Sequence, residues 1–164
     1  CQFSRMQPLN LFRVAILWLL LLGSLALAGE KQLKLPSEYL AARERWRVAG
    51  VADYQFTLRQ DCACLPEQPI SVVVRRGKVQ RAFYSISKVD VDARRISSLQ
   101  TLSGLFRTMD EAYAGSAAEV KFKANAQLGY LEYVYIDFNA RVADEELVYY
   151  ISDFRSVPPD KRQP

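Results

Sequence analysis

The sequence predicts an α+β domain: two helices on one face of an antiparallel sheet of about six strands, in the order α-βββ-α-βββ. Three observations carry this expectation. Two stretches, 37–49 and 101–113, repeat apolar residues at helical spacing. The segments after each of them alternate apolar with polar residues, the period of a half-buried strand. These strand-like segments arrive in two short-linked runs, which pair as antiparallel meanders. The two halves look like one arrangement used twice, without a residue-level repeat.

The first helix opens at Leu35-Pro36-Ser37, where the Ser37 hydroxyl is placed to cap free amides and Glu38 suits the positive end of the dipole. Tyr39, Ala42, Trp46 and Ala49 form its apolar face, and Gly50 is the expected stop. In "DYQFTLRQ", Tyr54, Phe56 and Leu58 face one way while Gln55, Thr57 and Arg59 face the other. That strand ends at the cysteines and prolines of "DCACLPEQP". "ISVVVRRGKVQRAFYSI" reads as a hairpin: Ile70, Val72 and Val74 lead in, Arg76-Gly77 turns, and Val79 to Ile86 lead out. Residues 87–98 are polar and show no period. Thr101 caps the second helix, whose apolar face is Leu102, Leu105, Phe106, Met109, Ala112 and Tyr113, and Ala114-Gly115-Ser116 ends it. Ala118, Val120, Phe122 and Ala124 alternate with Glu119, Lys121 and Lys123; "GYLEYVYIDF" and "EELVYYISDF" complete the second run. The tail, residues 155–164, has no core-forming pattern and is expected to be disordered.

The start of the chain bears on location. Val14 to Ala28 is an uncharged, largely apolar stretch preceded by Arg5 and Arg13, with no acidic residue before Glu30. Ala26 and Ala28 put small residues at both cleavage-specifying positions, the pattern of a secretory signal. The stretch is shorter than the ~20 residues of a membrane-spanning helix; an uncleaved anchor is the competing reading. Met6 is the expected start, with residues 1–5 an upstream extension. The expected organisation is a signal peptide at 1–28, a spacer at 29–35, one α+β domain at 36–154 and the tail. The expected location is periplasmic or secreted, with membrane contact only through the signal segment before cleavage. Removing residues 1–28 takes two of 22 basic residues and none of 18 acidic ones, so the net charge falls from +4 to +2. That balance argues against nucleic-acid binding.

The chain contains no histidine. Ser/His and Cys/His nucleophilic pairs are therefore excluded, together with the commonest general base and the commonest metal ligand. No glycine-rich phosphate loop is present, no cofactor is expected, and no catalytic residue is assigned. Three constellations remain. Cys62 and Cys64 are the only cysteines after the signal segment, and export favours a disulfide between them. Residues two apart on a flat strand are separated by roughly 6.6 Å, at the edge of the ~6.8 Å a disulfide spans between Cα atoms. The pair therefore needs a bend, which Pro66 and Pro69 supply just beyond it. The alternatives are a redox pair or thiolate binding of a soft metal. Asp137-x-Asn139 begins like a calcium loop and Asp144 is a further candidate oxygen ligand, but Arg141 and Val142 stand where an oxygen ligand and glycine belong. A solvated turn is the competing reading. Finally, five of the nine tyrosines, Tyr130, Tyr133, Tyr135, Tyr149 and Tyr150, fall in the last two strands. Tyr133 and Tyr135 share a face, and only one of Tyr149 and Tyr150 can share it with them. They pack the sheet beneath the helices or form an exposed aromatic face that binds a partner.

Trp46, Tyr54-x-Phe56-Thr57, Cys62-x-Cys64, Val72-Val73-Val74-Arg75-x-Gly77-Lys78-Val79, Thr101-Leu102-x-x-Leu105-Phe106, Gly129-Tyr130, Ile136-Asp137 and Asp144-Glu145-Glu146 occur in this order. The pattern resembles a family of small bacterial exported proteins catalogued as a domain of unknown function, many of them lipoprotein-like. The resemblance covers about residues 36–154 and implies location and architecture, with no activity. Leu131 stands where that family usually has proline, and no cysteine suited to lipid attachment follows the apolar stretch. The sequence thus points to a soluble, exported envelope protein with a non-catalytic binding or structural role. Its recognition face would carry Tyr133, Tyr135 and one of Tyr149 and Tyr150, rimmed by Lys and Arg, and its partner would be an envelope protein, a peptide or a glycan. The alternative is thiol redox or soft-metal chemistry at Cys62 and Cys64.

Overall fold

The computed structural model describes residues 34–61, 68–115, 117–142 and 145–158. The first helix, α1 (Ser37–Ala49), buries Tyr39, Ala42 and Trp46 and ends at Gly50 in the left-handed region, φ 60°. Two details differ from expectation. Pro36 occupies the N-cap position and no side chain caps the helix, because the φ of about −65° that proline fixes already suits helix entry. Ala49 is exposed, since the stripe leaves the sheet in the last turn.

The first meander comprises β1 (Tyr54–Asp61), β2 (Ile70–Arg75) and β3 (Lys78–Tyr84). Arg76 and Gly77 both have positive φ, 49° and 72°, the geometry of a two-residue hairpin turn. A short helix, α2 (Ala93–Ser98), follows. It lies in the polar stretch that shows no period, so the element order is α-βββ-α-α-βββ. Its N-cap, Asp92, accepts from the amides of Arg94 and Arg95, and six residues are too few to display an apolar stripe. Next come α3 (Leu102–Ala114), β4 (Glu119–Ala124), β5 (Leu131–Asp137) and β6 (Leu147–Ser156). The Thr101 side chain accepts from the Gly104 amide, as expected of the cap.

The six strands form one antiparallel sheet in the order β3-β2-β1-β6-β5-β4. The first strand of one half and the last strand of the other meet at its centre. A duplicated unit would place equivalent strands there, so the likeness of the halves ends at element order. The outer edge of β3 is covered by the following segment: Val91 N–H donates to Ala82 O, and Tyr84 N–H donates to Val89 O. β4 forms the other edge and carries Glu119, Lys121 and Lys123, charges that discourage pairing with a foreign strand.

The core joins the inner sheet face to the helices. Tyr54, Phe56, Val72, Val74, Val134 and Ile136 from the sheet are almost fully buried with Tyr39, Leu102, Leu105 and Met109 from α1 and α3. Three register shifts direct side chains into this core. At Asp153, φ 52°, the shift against Gln55 and Thr57 accompanies Phe154 packing at 4.7 Å on Tyr130. A second shift, between Lys123 and Ala124, leaves Leu131 fully buried although it is two residues from the outward-facing Tyr133. The third lies between Val73 and Val74 in the first hairpin. The last strand continues past residue 154 into the expected tail. Val157 N–H donates to Asp53 O and Arg75 Nη1 donates to Pro158 O, so residues to Pro158 are held; residues 159–164 lie outside the described ones.

The motif residues converge in the core. Trp46 meets Tyr54 at 5.5 Å, Tyr130 at 6.1 Å and Phe154 at 6.1 Å, each edge to face. Gly129, φ 84°, lies so close to α1 that a Cβ would clash with Ala42 O and approach Arg45 Cβ to 2.8 Å. Much of the motif pattern therefore specifies how α1 docks on the sheet.

Candidate functional site

Among the described residues, α1 and α3 pack against the inner face and the opposite face of the sheet is left open. Its chemistry follows from register. Arg59 lies opposite Tyr150, Tyr150 opposite Tyr133, and Tyr133 opposite Lys123. This gives one row across four strands: Arg59–Tyr150–Tyr133–Lys123. The neighbouring row is Asp61–Val148–Tyr135–Lys121. A third row, Phe83–Ser71–Thr57–Ser152, runs across β3, β2, β1 and β6, but Ser71 in it is buried, its hydroxyl bonded to that of Ser85, so the candidate site is the two aromatic rows.

The aromatic rows are tied by direct contacts. The Arg59 guanidinium lies 4.0 Å from the Tyr150 ring centroid, and the Tyr150 and Tyr133 rings are 5.2 Å apart with a 49° tilt. Lys121 Nζ sits 5.1 Å from the Tyr135 centroid. Such cation–π contacts contribute roughly 0.5–1 kcal/mol at exposed sites. The cations are also paired: Arg59 with Asp61 at 3.3 Å, Lys121 with Glu119 at 2.8 Å, and Lys123 with Glu132 at 3.2 Å. The hydrogen bond from Lys121 to Glu119 raises the lysine pKa above its ordinary value. Hydrogen bonds from Asn125 and Lys123 lower that of Glu132, against partial desolvation. Desolvation, then nearby carboxylates led by Asp137, raise Tyr135. The face is aromatic and close to charge-balanced.

The sequence-predicted residues divide as follows. Tyr133, Tyr135 and Tyr150 share the open face, and Tyr150 is 37% exposed. Tyr149 points the other way, is 7% exposed, and has its phenol pKa raised by burial; it belongs to the core. Tyr130 is also in the core, stacked on Phe154. Asp137 accepts from the Asn139 amide at 2.8 Å and Asn139 from the Arg141 amide at 3.1 Å, the local bonds of a solvated turn. Asp144 lies outside the described residues, as do Cys62 and Cys64. No helix among the described residues is long and apolar enough to cross a membrane. Arg59, Lys121 and Val148 join the site through strand pairing; alternation signals the outward face of Arg59 and Lys121, but pairing across strands requires the register.

The described residues thus form an α+β domain with a six-stranded antiparallel sheet, three helices and, among those residues, an open aromatic face. A family model described as a family of unknown function, DUF6174, matches residues 38–156, and the chain belongs to that family. No curated protein and no solved structure matches the chain.

Proposed function

We propose that this chain is an exported protein of the bacterial cell envelope that works without catalysis, by binding a protein partner on the open sheet face. The Arg59–Tyr150–Tyr133 array supports the reading most directly. Tyrosine and arginine are the side chains that dominate binding hot spots, because they offer large contact areas with polar ends. The partner class follows from what the array has already committed. Each cation in the two aromatic rows has an intramolecular carboxylate partner, so the face does not seek a polyanion. Arg59 sits over the Tyr150 ring, covering a ring face on which a sugar would stack. A protein surface instead can pack against the edges of both rows and satisfy their rim charges. Export rests on the Val14–Ala28 stretch and the Ala26-x-Ala28 exit; the absence of histidine supports a non-catalytic role.

The test is site-specific photo-crosslinking in a bacterial host, with the crosslinker at position 135 or 150, or at Arg45 on the helix side. A discrete protein adduct from 135 and 150, absent from 45 and lost in a Tyr133→Ser/Tyr150→Ser chain, is expected. Equal adducts from all three positions would overturn the reading. N-terminal sequencing of the same material should begin at Gly29; a chain that retains residues 14–28 in the cytoplasm would overturn export.

A further inference from the structure

On the helix side of the sheet, α1, α3 and the β2–β3 turn border an open cleft of about 720 Å³. Trp46 and Phe106 line it and are 6% and 4% exposed, so they form an apolar floor. Four of the five charged residues on its walls already neutralise one another, Arg107 being the fifth. Arg43 grips both carboxylate oxygens of Asp110, at 2.7 and 2.9 Å, and Arg47 pairs with Glu44 at 2.6 Å. The Trp46 indole N–H is likewise taken, donating to Ser103 Oγ at 3.0 Å.

The charge balance changes at one end. A recess of about 340 Å³ shares Gly77, Ser103 and Arg107 with the cleft and adds Lys78 and Ser97. No acidic residue lines it. Arg107 and Lys78 are both exposed, and neither has an ion-pair partner among the described residues. The walls are held in place: Gly77 N–H donates to Ala52 O at 2.9 Å and Arg76 N–H to Asp53 Oδ1 at 2.6 Å, which fixes the turn carrying Lys78. An apolar floor leading into a recess with two cations that have no ion-pair partner among the described residues, and with the hydroxyls of Ser97, Thr101 and Ser103, is complementary to a molecule with an apolar body and a single anionic end.

We propose that this cleft binds an amphiphilic carboxylate, its apolar chain on Trp46 and Phe106 and its carboxylate between Arg107 and Lys78. The site is separate from the open sheet face and does not depend on what binds there.

The test uses three probes of equal chain length on the full chain: decanoate, decanol and decylammonium, each below its aggregation concentration. Amide NMR shifts of Gly77, Ser103 and Arg107 report site occupancy. Decanoate should saturate these shifts and bind at least about tenfold more tightly than decanol, a difference of ~1.4 kcal/mol; decylammonium should bind more weakly still. Arg107→Glu and Lys78→Glu should each weaken decanoate about tenfold or more, while Arg107→Lys retains most of the affinity. Both positions are exposed, so unfolding midpoints should be unchanged, separating lost binding from lost fold. Equal affinity for all three probes, or decanoate binding indifferent to Arg107→Glu, overturns the proposal.

Discussion

The Tyr54 hydroxyl accepts the backbone N–H of Leu102 at 3.2 Å, joining the first strand to the opening turn of α3 across 48 residues. A helix start leaves amides without intrahelical partners. Here Thr101 takes the Gly104 amide and Tyr54 the Leu102 amide, in a site where Tyr54 is 1% exposed. Tyr54→Phe keeps the ring packing and strands a buried donor. The expected loss is roughly 1–2 kcal/mol, measured as a lower urea midpoint at unchanged slope.

Two glycines with similar backbone angles should respond very differently to alanine. Gly77 has φ 72° and nothing within 4 Å of an added Cβ, so Gly77→Ala pays backbone strain alone, about 1–2 kcal/mol. Gly129 has φ 84° and abuts Ala42 O, Arg45 Cβ and Trp46 N. Gly129→Ala must push α1 off the aromatic cluster, with an expected loss above ~3 kcal/mol. Equal unfolding midpoints for the two variants would show that α1 does not dock as described.

Stability should fall at alkaline pH. Burial raises the phenol pKa of Tyr39, Tyr54 and Tyr149 above the model-peptide value of 10.0; for Tyr39 a hydrogen bond to Asp110 adds to it. A raised folded pKa means that the native state holds its proton while the unfolded chain has lost it. This stabilisation is fully present below about pH 10 and is lost as pH rises above it. Unfolding midpoints should be level through neutral pH and decline above about pH 10. Tyr149→Phe should make that decline shallower.

The open face should be nearly silent in stability. Arg59 is a half-exposed surface cation paired with Asp61 and stacked on Tyr150. Arg59→Ala should cost no more than about 1 kcal/mol. A loss of several kcal/mol would mean that the array is structural, and would count against its role in recognition.

Features governed by neighbouring residues were legible in the sequence. The Thr101 cap, the Gly50 stop and the Arg76-Gly77 turn depend on one or two side chains and their own backbone angles. Alternation likewise placed Tyr133 and Tyr135 on one face. What failed also has a local cause. Ser37 is preceded by a proline already set for helix entry, and α2 holds a single larger apolar residue, Ile96, so its stretch shows no period. Leu131 broke the alternation because a register shift separates it from Tyr133.

The sequence by itself determined the α+β class, the strand count, most element limits, and the absence of histidine-based chemistry. Those properties reside in periodicity and composition, which act over a few residues. Only the tertiary structure decided that β1 pairs with β6, that Tyr150 faces outward beside Arg59 while Tyr149 turns into the core, and that Arg107 and Lys78 border one recess. Each of these depends on register and on docking between distant segments. A one-residue slip in register moves every side chain of a strand to the opposite face, and that choice is made by the core as a whole.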